Sequence, residues 1–362
     1  MANALEPLAL VIRGYERQTK PSVTVDSIEL FVFRMYQMPL TVYSRSMGIL
    51  YDTPDYVRTL QWLGRSLQVG RESVLLRSAP QGLVDARGSW PYQSLPSVEL
   101  IERLGHLRQP LSLTCVLSPD VSDSAIEDFH TGMPSPLVPL FVPLKTHLCH
   151  RADGMPAWQH YSARTRRRLN LAAESFVVTR KLFPDVHNVV STWQNQLRHR
   201  RRIPTMSSPD HAHFQGLFEL ARRSEDVACF FLRWRHSGDY CGVFLACRDE
   251  MKGSWHAHTA LVDDQARSAF GMYLLFDSVL KTLAGSDLWL GGAPSGPNGM
   301  GVYRFKQRFA NDHATAKLLY VELNSRAANR VRAQYGTFAF TPDYRNPDVE
   351  LLYESNEPHV AS

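Results

Sequence analysis

The sequence predicts an α/β chain of the α+β kind, with mixed, mostly antiparallel sheets in two domains. Two observations lead there. Three strand-like runs follow one another at Ala228–Trp234, Tyr240–Arg248 and Ser254–Val262, with Gly238–Asp239 marking a hairpin turn between the first two. Helix-spaced and strand-like segments then alternate through Ser268–Leu283, Asp287–Leu290, Val302–Phe309 and Ala316–Leu323. Antiparallel strands followed by a helical crossover exclude both a doubly wound parallel sheet and a closed barrel.

In chain order, Val23–Met35 alternates with β-branched residues and reads as a strand, and Thr41–Tyr51 holds another. Apolar residues at Tyr56, Val57, Leu60, Leu63 and Leu67 predict a helix over Pro54–Val69, stopped by Gly70. Ser73–Arg77 is a short strand, Pro80–Pro96 a loop, Val98–Leu107 a helix, Leu111–Leu117 a strand and Ser122–Phe129 a helix. Four prolines make Gly132–Pro143 an irregular connector before a strand at Leu144–Cys149. The domains expected are 1–150 and 151–330, with a polar tail at 331–362. In the second, Trp158, Tyr161, Thr165, Leu169, Ala172 and Phe176 form one helical stripe, with Arg164, Arg166, Arg167 and Arg168 on the other side. A helix from near Val189 ends in the basic run Arg198–Arg202, and another covers Phe214–Arg223.

The 362 residues are 44% hydrophobic and 21% charged, enough for a buried core. No apolar run reaches the roughly 18–20 residues that span a bilayer, and Met1–Tyr15 lacks the basic start and cleavage site of a signal peptide. A cytoplasmic protein is expected. Cys115, Cys149, Cys229, Cys241 and Cys247 contain no CxxC pair, which argues for reduced, packed thiols over a disulfide framework or a structural zinc. Only seven of the 40 basic residues are lysines. The arginine excess suits phosphate-bearing partners, and a GC-rich genome gives the same bias.

The element order, and three segments in particular, resemble the GNAT-fold acyltransferases, specifically the Fem-type peptidoglycan-bridge aminoacyltransferases or a related acetyltransferase branch. Tyr161–Glu174 (YSARTRRRLNLAAE), after Pro143–Arg151 (PLKTHLCHR), resembles their arginine-rich helix and the Lys-Thr-His strand before it. Phe270–Ala293 resembles their central helix and a strand ending in Gly-Gly. Gly299–Ala310 (GMGVYRFKQRFA) is similar to their glycine, Phe-Lys, Phe-Gly signature, with Ala310 in place of the last glycine. Asp55–Pro80 matches more weakly, and the family's opening Gln-Ser and Trp-Gly pattern is missing. The resemblance implies two tandem GNAT-like domains, the first degenerate, and transfer of an aminoacyl or acyl group to an amine in cell-wall or polysaccharide biosynthesis.

Acyl transfer to an amine needs a neutral nucleophile and a partner for the oxyanion. Lys306 follows the glycine-rich stretch Gly291–Gly301, and the resemblance gives it the oxyanion role with Phe305 positioning it; without the resemblance it is a surface lysine. Gly299 and Gly301 belong to a turn whose N–H groups can hold an anion, or to a flexible link. Arg164, Arg167 and Arg168, with Arg201 secondary, are expected to bind donor phosphates, or to form a solvated helix face. Arg267 and Gly271 stand where acyl-CoA users cradle pyrophosphate, but one residue too far apart and without the second glycine. This puts coenzyme A in doubt and suits aminoacyl-tRNA or a carrier-bound acyl group as the co-substrate, and no tightly bound cofactor is expected. The partners are then charged tRNA and an amine-bearing acceptor, with transient membrane-surface contact. His256 and His258 share one strand face but lack a third metal ligand nearby in sequence, so no metal is expected. Asp263–Asp264 either accepts a proton or caps a helix. An acyl-CoA or acyl-carrier-dependent acetyltransferase and a non-catalytic GNAT-like binding module are the alternatives.

Overall fold

A computed structural model describes residues 50–70, 72–79, 83–107, 110–201, 209–250, 252–292 and 297–335. The strand expected at Val23–Met35 and all but the end of Thr41–Tyr51 lie outside these; Leu50 and Tyr51 open a 3-10 turn. The first half runs α1 (Pro54–Val57), β1 (Arg65–Val69), β2 (Glu72–Ser78), β3 (Val84–Arg87), α2 (Val98–His106), β4 (Pro110–Val116), α3 (Asp123–Gly132) and β5 (Pro139–His150). There follow α4 (Ala163–Ser175), β6 (Phe176–Thr179), α5 (Val186–Arg201), α6 (His211–Arg223), β7 (Val227–Trp234), β8 (Tyr240–Asp249) and β9 (Ser254–Val262). The last elements are α7 (Asp264–Ser268), α8 (Gly271–Thr282), β10 (Leu288–Gly291), α9 (Pro297–Lys306), β11 (Asp312–Glu322) and α10 (Ser325–Tyr335).

All strands join one mixed sheet in the order β1-β2-β3-β4-β11-β5-β10-β9-β8-β7-β6. Each half is an antiparallel run closed by one parallel contact, β3 with β4 and β9 with β10. Each half then gives its final strand to the other: β11 lies on β4, and β5 lies on β10. β5 and β11 pair antiparallel in the centre. The division near residue 150 falls at the end of β5, and the sheet runs unbroken across it.

β7 and β8 are buried on both faces, which explains their near-continuous apolar runs. Phe230, Leu232 and Phe244 pack with Leu169 of α4 and Leu275, Phe276 and Val279 of α8. Phe231, Val243 and Leu245 pack on the other face with Phe214, Leu217 and Phe218 of α6 and with Tyr51 and Tyr56. In the first half, Leu100, Ile101 and Leu104 of α2 cover Val74, Leu113 and Leu319. All five cysteines are free and buried. Among the described residues no helix is long and apolar enough to cross a membrane.

Several expectations need correction. The helix read over Pro54–Val69 is helical only to Leu63, as α1 and a 3-10 continuation, and Arg65–Val69 is β1. Gly64, at φ 153°, makes the break; a Cβ there would sit 2.5 Å from the Leu76 carbonyl oxygen, so only glycine admits the approach to β2. The loop read at Pro80–Pro96 contains β3, whose backbone is satisfied from both neighbours. Much of the proline-rich connector belongs to β5: Pro143 pairs with Lys317 beside a bulge between Thr315 and Lys317, where the ladder tolerates its missing N–H. The glycine loop ends earlier than read. Pro297 starts α9, so Gly299 and Gly301 are helical.

Candidate active site

The parallel contact between β9 and β10 spans only Leu288–Trp255 and Trp289–His256. β9 continues to Val262 while β10 stops at Gly291, so the two strands end in a wedge. β5 forms the opposite neighbour of β10, with Leu148 beside Gly291. The strand exchange therefore brings first-half residues to the mouth of a second-half wedge.

Lys306 ends α9 and reaches back to β10, where its ammonium donates to the Gly292 carbonyl at 2.7 Å. A cation at a helix C-terminus also meets the negative end of the helix dipole. Burial lowers its pKa from 10.5 to about 8, and the charge of Lys145 lowers it further in the same direction. Phe305, one residue earlier, points into the core. Its ring lies 5.1 Å from Tyr273, 5.0 Å from Phe276 and 5.3 Å from Phe309, so it fixes how α9 is turned.

Gly291 and Gly292 thread between these cations. Gly291 has φ 76°, and a Cβ there would lie 3.2 Å from Tyr92 Oη and 3.4 Å from Lys306 Nζ. A Cβ on Gly292 would lie 2.9 Å from Lys145 Cδ and 3.2 Å from His147 Cδ2. Lys145 and His147, two apart on β5, thus face the same opening. His147 is buried, its Nδ1 bonds the Tyr92 hydroxyl at 2.6 Å, and its Nε2 has no partner among the described residues. Burial, then the charges of Lys145 and Lys306, hold its pKa near 3, so the ring is neutral. Burial raises the pKa of Tyr92, which stays a phenol. The opening thus gathers an ammonium with a lowered pKa, a second ammonium, a phenol, a neutral imidazole and two glycines. Such a set can hold a developing oxyanion.

His256 and His258 do share one face of β9, each with its ring centroid 6.1 Å from that of Tyr51. They serve different neighbours. His258 Nε2 meets Tyr56 Oη at 3.0 Å and His213 Nε2 at 3.3 Å, and burial keeps both imidazoles neutral. His256 lies against Tyr92, ring centroids 5.5 Å apart, with two acidic neighbours, Asp249 from across the β8–β9 hairpin and Asp120 from far along the chain.

The arginines separate. Arg164 and Arg167 are exposed on α4. Arg168 is tied down: its guanidinium donates to Tyr273 Oη and lies 5.2 Å from the Phe270 ring centroid. Arg267 is exposed and pairs with Asp264 at 2.9 Å. Gly271 is buried, and a Cβ there would lie 2.5 Å from Leu232 Cδ2, so this glycine serves the seating of α8 on β7. Gly299 is buried and Gly301 exposed, both on α9. Asp263 caps α7 by accepting from the Ala266 N–H at 2.7 Å. The side chain of Arg201 lies outside the described residues. A separate cleft lined by Asp55, Arg58, Glu219 and Arg223 holds none of the groups at the wedge.

Sequence reasoning singled out Lys306 and Phe305 but not Lys145, His147, Tyr92 or Gly292. Lys145 and His147 stood inside the quoted Lys-Thr-His strand, with the alternation that puts them on one face.

No family model matches the sequence, and no curated protein matches it. Solved structures do. FemX aligns with a TM-score of 0.57 at 11% identity, covering 86% of this chain and 99% of that one. L-PGS from Bacillus licheniformis aligns at 0.50 and 13% identity, covering 83% and 100%. A C-terminal domain described as that of a lysylphosphatidylglycerol synthetase from Agrobacterium fabrum aligns at 0.50 and 13%, covering 76% and 89%. At such identities the likeness speaks for the fold. It shows that the chain has a Fem-type, GNAT-like fold.

Proposed function

We propose that this chain is an N-acyltransferase that moves an aminoacyl or acyl group onto an amine, with Lys306 as the cation that meets the oxyanion. The observation that carries the reading is the half-buried ammonium at the β9–β10 wedge, held on the Gly292 carbonyl with Tyr92, His147 and Lys145 around it. A structural lysine gains little from such a place, because burial disfavours its charge. A developing negative charge on the substrate repays that cost.

The acceptor amine attacks the donor carbonyl carbon, and the C=O electrons move to oxygen. Lys306 exchanges its Gly292 bond for that oxygen, with the Tyr92 hydroxyl beside it. The intermediate then expels the donor's ester oxygen or thiolate, which takes the proton released by the amine. His147, with a pKa near 3, stays neutral and orients Tyr92, and Lys306 is kept charged for the oxyanion, so neither takes the amine's proton. The attacking amine must therefore arrive deprotonated.

Aminoacyl-tRNA is the donor we favour, with exposed Arg164 and Arg167 meeting its phosphates. A second reading, acyl-CoA as donor, is favoured by one feature. α8 starts after Phe270 at φ 64° with no side-chain cap, leaving leading N–H groups for a pyrophosphate. Thermal stabilisation by charged tRNA, by acyl-CoA or by a UDP-linked muropeptide separates the donors from one another and from a non-catalytic module. Transfer lost in Lys306→Met with donor binding kept supports the catalytic role; Lys306→Met with wild-type transfer removes it.

A further inference from the structure

We infer that Asp120, Asp249 and His256 form a binding site for a divalent ion of the zinc class. Asp249 and His256 face each other across the β8–β9 hairpin, at the end of β8 and the start of β9, and Asp120 comes from the turn after β4, far along the chain. Their ligand atoms all lie within 4.8 Å of one another. His256 is fully buried, and neither ring nitrogen has a hydrogen-bond partner among the described residues. A buried imidazole without partners is costly and calls for an explanation. Its Nε2 faces Asp120 Oδ2 at 3.9 Å, too far for a hydrogen bond. Two ligands of one tetrahedral zinc, each at about 2.0–2.1 Å, stand roughly 3.3 Å apart. A small carboxylate rotation closes that difference.

The surroundings support a cation. Asp120 Oδ2 accepts from Trp289 Nε1 at 2.6 Å and from Ser254 Oγ at 3.1 Å, contacts that orient a ligating carboxylate. Asp249 Oδ1 accepts from the Lys252 N–H at 3.1 Å. Arg151 is the cation at hand, but it lies 2.6 Å from Asp287 and 2.8 Å from Asp312, against 3.7 Å from Asp120. One guanidinium thus faces three carboxylates. The Asp120 side chain keeps 12% of its surface exposed, which leaves a way in. One imidazole nitrogen with two carboxylates suits zinc or manganese better than magnesium or calcium, which take oxygen ligands alone. The ion would tie the turn after β4, in the first half, to β8 and β9 in the second. His256 and Trp289 also form the last pair before the wedge, so the ion would fix the base on which Gly291 stands. The inference holds whatever the acyl donor is.

The test uses the full chain, stripped with a chelator and free of any tag. Zn2+ is titrated by calorimetry, with Mg2+ as control, and Co2+ by its visible absorption. One Zn2+ per chain is expected, with a raised melting temperature and a Co2+ band of a nitrogen–oxygen site. His256→Gln and Asp120→Asn should each weaken Zn2+ at least tenfold and abolish the stabilisation. Circular dichroism in chelator checks that each variant folds; Asp249→Asn replaces any that does not. Absence of stoichiometric Zn2+ binding to the wild type overturns the site, as does equal affinity in folded His256→Gln.

Discussion

Replacing Lys306 by arginine should abolish the fall in transfer rate on the alkaline side. Burial, assisted by the charge of Lys145, brings the lysine from 10.5 to about 8. Only its charged form can hold the oxyanion. About nine in ten molecules carry that charge at pH 7 and about one in ten at pH 9, so the wild-type rate should lose about tenfold over that interval through this group. Arginine stays protonated throughout. The acceptor amine titrates in the opposite direction, since it must be neutral to attack, and it does so identically in both proteins. Lys145, whose pKa burial also lowers, is common to both proteins, so the wild-type to Lys306→Arg ratio of single-turnover rates reads the change at position 306. That ratio should be level below about pH 7 and then decline about tenfold by pH 9. Neither His147, neutral near pKa 3, nor Tyr92, raised by burial, titrates in this window. Lys306→Met removes the cation altogether and should cost about 10²–10³ in rate at pH 7, the usual loss for one oxyanion donor. A ratio that stays flat from pH 6 to pH 10, or a methionine variant within threefold of wild type, would refute the assignment.

Three other outcomes follow from the geometry. Gly291→Ala forces φ 76° on a residue with a Cβ and places a methyl 3.2 Å from Tyr92 Oη; denaturant titration should show a loss of about 1–2 kcal/mol, and a stability equal to wild type would mean that the backbone at this turn is otherwise. Arg168→Ala should lower the melting temperature, because its guanidinium holds Tyr273 and Phe270, whereas Arg164→Ala with Arg167→Ala should leave stability alone and flatten the salt dependence of tRNA binding; the reverse pattern would exchange their roles. Burial raises the Asp52 carboxyl from 3.8 to about 7, with hydrogen bonds from Ser94 opposing the shift. The folded chain then binds more protons than the unfolded one between these values, so stability falls as pH rises through the window. Asp52→Asn should gain on wild type from pH 4 to pH 7 in chemical denaturation, and a pH-independent difference would contradict that burial.

Local signals carried the second half of the fold well, because its strands and helices are long and their apolar spacing is unambiguous. The errors sit where tertiary pairing overrode local preference. Leu63 and Leu67 fit helical spacing, yet pairing with β2 draws Arg65–Val69 into the sheet once Gly64 allows the close approach. Pro139 and Pro143 read as strand breakers, yet β5 starts at Pro139 and runs through Pro143, which a bulge in the pairing with β11 accommodates. β3 is four residues long, too short for any periodicity to reveal.

The site was legible only where one segment holds it. Lys306 stands in a run whose sequence resembles a known signature, and so the sequence singles it out as a candidate. Its neighbours are joined to it by the strand exchange: β5 reaches β10 across some 140 residues of chain, and that contact alone sets Lys145 and His147 beside Gly292. The same holds for His256. Asp249 lies seven residues away across the β8–β9 hairpin, but Asp120 comes from the first half, and no local spacing points to it. The exchange of final strands is thus more than a topological feature. It makes the wedge a shared property of both halves, so a substitution in the first half, such as Tyr92→Phe, should alter chemistry performed at a second-half lysine. Tyr92→Phe would leave His147 Nδ1 without its bond and take a hydroxyl from beside Gly291. A first half that served only as scaffold would let that variant transfer at the wild-type rate.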